Sequence, residues 1–86
     1  MNTRYLLMAQ YGAKAIIPIE DVARDYFSLT PDKLTRKIAH GEIKLPLVRM
    51  DAGSQKSVKG VHLDDLANWI DARREAAAKE LRHLGG

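Results

Sequence analysis

At 86 residues the chain has room for one modest hydrophobic core, which leaves little space for a catalytic cleft. It has no cysteine, so neither disulfides nor Cys-based zinc sites can staple so small a domain. The net charge of +3 is concentrated: from Lys33 to Lys59 seven basic residues stand against two acidic ones, while residues 1–32 and 60–86 each carry a net −1. A clustered positive field favours a polyanion, although lysines that merely solvate a surface would give the same count.

In chain order, Tyr5 to Tyr11 is apolar at nearly every position, which leaves strand and short helix unresolved by period; an extended segment is the preferred reading. Gly12-Ala13-Lys14 reads as a turn. Ile16-Ile17 before Pro18 must be extended, because proline disfavours helix at the residue before it. From Glu20 the pattern turns helical: Val22, Ala23, Tyr26 and Phe27 share one face and are expected in the core, with Glu20 and Asp21 in the first turn.

Ser28-Leu29 interrupts that helix, and Leu29 is expected to plug the gap before the next. Thr30-Pro31 supplies a hydroxyl cap followed by a proline, so a second helix should run from Pro31 to about His40 and stop at Gly41. Its apolar stripe is narrow, Leu34 and Ile38 with Ala39, and its other face carries Lys33, Thr35, Arg36, Lys37 and His40.

Leu45 to Met50 reads as a strand with Pro46 at its edge or start, and Val58 to Leu63 as its return. Ser54, Gln55, Lys56, Ser57 and Lys59 fall at or near the hairpin tip. A last helix, about residues 64–84, is expected to start at an Asp64 cap. Leu66, Ile70, Ala77, Leu81 and Leu84 mark one face of it, with Trp69 beside them.

Two short helices joined by a tight turn, the second basic, followed by a hairpin with a basic tip, make the order of a winged helix-turn-helix. The expected fold is therefore α+β: one winged helix-turn-helix domain over residues 1–86, with an N-terminal extended segment and a long C-terminal helix. The expected partner is double-stranded DNA. Thr30, Lys33, Thr35, Arg36, Lys37 and His40 on the second helix, with Arg49, Ser54, Gln55, Lys56 and Lys59 on the hairpin, are the candidate contacts. Arginine can pair bidentately with guanine, threonine can bond a base edge or touch a thymine methyl, and lysine serves phosphates.

Ala77, Leu81 and Leu84 continue an apolar stripe beyond the core and are candidates for self-association into a homodimer or higher oligomer. No metal, cofactor or catalytic group is expected. His40, His62 and His83 lie about twenty residues apart without companion ligands, and Asp64-Asp65 is better explained as a helix start. No apolar stretch approaches the roughly 20 residues of a membrane span, and the first residues lack a signal-peptide pattern. A cytoplasmic, nucleoid-associated protein is the expectation.

The stretches LLMAQYGAKAIIPIEDVARDYF, LTPDKLTRKIAHGEIKLPLVRM, SQKSVKGVHLDDLANWIDARR and AAAKELRHL resemble the pyocin activator (PrtN-like) family over almost the whole chain. The most specific pieces are Ile17-Pro18-Ile19, Gly41-Glu42-Ile43 with Leu45-Pro46-Leu47-Val48-Arg49, and Ser54-Gln55-Lys56 before Lys59-Gly60-Val61. The resemblance implies a DNA-binding activator of prophage or phage-tail-like bacteriocin genes, with RNA polymerase as a further partner. The middle of the chain is also similar to Cox and excisionase-type phage regulators, which implies an excisionase/MerR-like form of the winged helix-turn-helix and makes an architectural DNA-binding factor the alternative. A phage module that binds a host factor is the reading outside nucleic-acid biology.

Overall fold

A computed structural model describes residues 2–53 and 58–85. The first element, α1 (Thr3–Tyr11), is a helix, which corrects the extended reading of this segment. The Asn2 side chain accepts from the Arg4 N–H at 2.9 Å at one end, and at the other Gly12, at φ 85°, donates its N–H to the Met8 carbonyl. Leu, Met, Ala, Gln and Arg between these caps are strong helix formers. The period was hidden because only Leu7 is buried, while Tyr5, Leu6 and Met8 keep apolar side chains in solvent.

Strand β1 (Ile16–Pro18) leads directly into α2, which is α-helical over Ile19–Val22 and continues as a π-helical turn over Ala23–Phe27. Ser28 closes the turn in the left-handed region, φ 53° and ψ 40°, and both its N–H and that of Leu29 point to the Ala23 carbonyl. The wider turn displaces the helical face: Val22 and Ala23 are buried and Phe27 is half-buried against Trp69, but Tyr26 turns outward. Its expected core position is thus replaced by a hydrogen bond from its hydroxyl to Gln10 of α1 at 2.6 Å.

Helix α3 (Pro31–Ala39) starts and stops where expected. Thr30 caps it by accepting from the Lys33 N–H at 3.2 Å, and Gly41 at φ 76° ends it. The N–H groups of Gly41 and Glu42 return to the carbonyls of Ile38 and Lys37, the paired bonds of a Schellman motif. Leu34 is buried beneath the helix, and Leu29 packs against the core in the turn between α2 and α3.

The strands of the hairpin are shorter than expected, β2 (Val48–Arg49) and β3 (Lys59–His62). Leu45 instead drops into the core, and Pro46 beside it has no N–H to give a ladder. The antiparallel sheet has the order β1-β3-β2, with Ile17 opposite Val61 and Arg49 opposite Lys59. Gly60 is required where β1 and β3 cross: a Cβ there would collide with the Ile17 carbonyl oxygen and lie 2.7 Å from the Ile16 side chain.

Helix α4 (Leu63–Leu84) is capped by His62, not Asp64: the His62 Nδ1 accepts from the Asp64 N–H at 3.0 Å. Asp64 sits in the first turn and pairs with Arg4 of α1 at 2.8 Å, while Thr3 donates to Asp71, so α1 is fastened along the first half of α4. Leu63, Leu66 and Ala67 enter a core made with Leu7, Ile17, Ile19, Val22, Ala23, Leu34, Leu45 and Val61. Among the described residues the protein is thus α+β, four helices around a three-stranded antiparallel sheet, an arrangement compatible with a winged helix. No described helix is long and apolar enough to cross a membrane.

Candidate nucleic-acid interface

On α3 the buried Leu34 and half-buried Thr35 and Ile38 fix which side faces out: Lys33, Arg36 and His40 are exposed there, at spacings of three and four residues that line them along one side. Lys37 flanks them and reaches Glu42 at 3.7 Å. Asp32, also exposed, sits in the first turn, where it suits the helix dipole but adds a negative charge beside Lys33. With Thr30 and Asp32 at that end, the positive character of this helix lies in its side chains more than in its N-terminal N–H groups.

The two threonines are committed to the backbone. Thr30 accepts from the Lys33 N–H, and the half-buried Thr35 hydroxyl donates to the Pro31 carbonyl at 2.8 Å, which uses its one proton. What Thr35 retains is acceptor capacity and a methyl group.

The hairpin brings Arg49 and Lys59 directly opposite each other. Because the Met50 N–H donates to the Val58 carbonyl at the next position, Arg49 and Lys59 occupy a non-hydrogen-bonded site, where facing side chains come closest. Two like charges in that register destabilise the free hairpin, and an anion between them removes the conflict. Ser54, Gln55 and Lys56 lie outside the described residues.

The decisive feature is how the cations are paired. Outside the middle third, Arg4 pairs with Asp64, Arg24 with Asp21 and Asp25, and Arg82 with Glu75, while Lys14, Arg73, Arg74 and Lys79 have no acidic partner among the described residues. Within it only Lys37 has an acidic partner among the described residues; Lys33, Arg36, Lys44, Arg49 and Lys59 have none. Lys44, exposed between α3 and β2, belongs to the same basic segment but lies outside both predicted elements, which hid it as a candidate contact. Surface ion pairs stabilise little, but their absence leaves this region's field uncompensated.

Ala77, Leu81 and Leu84 lie on the part of α4 that has left the core. Leu81 and Leu84 are 71% and 87% exposed, and Ala77 is exposed beside them.

Compared with known proteins, the chain matches the family described as "Pyocin activator protein PrtN" over residues 3–77. No curated protein and no solved structure matches it.

Proposed function

The chain belongs to the pyocin activator family, a family of regulatory activator proteins, and from that premise we propose that it is a sequence-specific, double-stranded DNA-binding activator of prophage or phage-tail-like bacteriocin genes. In this reading the fold is a winged helix-turn-helix, with α2 and α3 as the helix pair and β2–β3 as the wing. The single observation that carries it is the concentration of positive charge on α3, the α3–β2 connection and the hairpin, where Lys33, Arg36, Lys44, Arg49 and Lys59 have no acidic partner among the described residues. Arg36, exposed in the last turn of α3, reads a base; Lys33, His40, Lys44, Arg49 and Lys59 hold phosphates and set the register.

The exposed stripe of Ala77, Leu81 and Leu84 pairs two copies. Three side chains make a small contact, so pairing is weak in free solution and strengthens when two copies share one duplex. Genome-wide recovery of bound fragments tests the reading as a whole. Enrichment of promoters upstream of tail or bacteriocin genes supports activation, enrichment of prophage attachment sites transfers the protein to an architectural role, and absence of any bound DNA removes the proposal.

A further inference from the structure

Two apolar surfaces of the chain have no cover among the described residues. One is the tail of α4, where Leu81 and Leu84 stand beyond the core. The other is a ledge on α1 and α2, where Tyr5, Leu6 and Tyr26 are 68%, 53% and 37% exposed. Residues four apart share a side of a helix, so Leu6 adjoins Gln10, and Gln10 accepts the Tyr26 hydroxyl, which joins the two helices into one surface. Neither the core nor the basic side of α3 uses this ledge.

One chain cannot bring its own tail to its own ledge. Thr3 holds α1 to Asp71, and Leu84 lies thirteen residues farther along α4, about 20 Å at 1.5 Å per residue. A second copy supplies both missing partners, and charge sets which way round it lies. Leu63 to Ala72 carry Asp64, Asp65 and Asp71 with no lysine or arginine, whereas residues 73–84 carry Arg73, Arg74, Lys79 and Arg82 against Glu75 and Glu80. Two α4 helices side by side in the same direction set acid beside acid and crowd both domains at one end. In opposite directions the basic tail of each runs beside the acidic half of the other, and Leu81 and Leu84 arrive at the end of the partner domain where α1 is fastened to Asp71.

Resting on the reading that the tail pairs two copies, we propose that each tail crosses to the other copy and lays Leu81 and Leu84 on its Tyr5–Leu6–Tyr26 ledge, with a twofold axis relating the two contacts. Ala77, the small residue of the stripe, lies near the crossing and lets the helices approach. Reciprocity covers both ledges and both tails at once and closes the assembly at two copies, the commonest symmetry of soluble oligomers.

The chain has no cysteine, so single replacements report contacts cleanly. Full-length Leu6→Cys and Leu84→Cys proteins, mixed and oxidised, should give mainly the mixed disulfide-linked dimer, since a disulfide forms only where Cα atoms come within about 7 Å. Leu6→Glu should weaken pairing in sedimentation at least tenfold, as Leu81→Glu does, and leave the thermal melt unchanged because both positions are exposed. A Leu84→Cys dimer formed in preference to the mixed one, or undiminished pairing by Leu6→Glu, would overturn the crossed arrangement and set tail against tail. Mass that keeps rising past two copies with concentration would overturn the twofold closure. A wild-type chain that stays monomeric at every concentration, with no disulfide-linked product from either variant, is a different result, which removes the self-association reading itself.

Discussion

Tyr11 links α1 to α2 through its hydroxyl, which donates to Asp25 at 2.6 Å while Arg24 holds the same carboxylate at 2.9 Å. Burial, then the bond to Asp25 and its charge, pushes the Tyr11 phenol well above its ordinary value. The Arg24 guanidinium and the Tyr11 hydroxyl hold the Asp25 carboxyl below its own. A phenol raised in the folded state contributes stability that is complete below about pH 10 and is lost as pH climbs through the folded value. The Asp25 contribution runs the other way, complete above about pH 4 and lost as pH falls through the lowered folded value.

Tyr11→Phe should therefore cost about 1 kcal/mol at neutral pH and make the alkaline loss of stability shallower. It should not abolish that loss, since burial also raises the Tyr26 phenol. Denaturant melts at neutral and alkaline pH compare the two proteins directly; an alkaline decline as steep in the Phe variant would clear Tyr11 of this role. None of this network was legible in sequence, because Tyr11 and Asp25 meet only through tertiary packing. The residues that could be read were those whose task is local, such as Thr30 before Pro31 and Gly41 after His40. His62 was not legible as a cap because Ser, Thr, Asp and Asn are the usual capping residues, although its ring nitrogen does the same work.

At the scale of elements, α3 and the hairpin divide the proposed labour. Arg36→Ala should cost about 1–3 kcal/mol on the cognate duplex and blur preference at one base, whereas Lys59→Ala should weaken cognate and random duplexes alike. Competition binding on both duplexes distinguishes them, and equal losses for Arg36→Ala would make that residue a backbone contact. For α4, Leu81→Glu should leave the melt unchanged, since Leu81 is 71% exposed, but lower the mass in sedimentation or remove cooperativity on DNA. If neither changes, the tail does not pair copies. Helix α3 was legible because its caps and stripe agree. Helix α1 was not, since apolar residues on its exposed side erased the period, and α2 was legible only up to Ala23, where the π-helical turn abandons the 3.6-residue repeat that placed Tyr26 in the core.

For the whole molecule, a radius of gyration of 14.4 Å exceeds the about 12 Å expected of a compact chain this long. The excess fits the free second half of α4, a 22-residue helix of about 33 Å whose buried contacts lie in its first half. The charge imbalance between the middle third and its flanks was visible in the sequence, but its pairing was not. Only the folded chain shows that Asp21, Asp25, Asp64 and Glu75 are spent on flanking arginines, while of the central cations Lys33, Arg36, Lys44, Arg49 and Lys59 have no acidic partner among the described residues. The most direct test of the account is the salt dependence of binding to a promoter duplex. Three to five neutralised phosphates predict a slope of about −3 to −4.5 in log affinity against log salt; a flat dependence, or no binding at low salt, would contradict it.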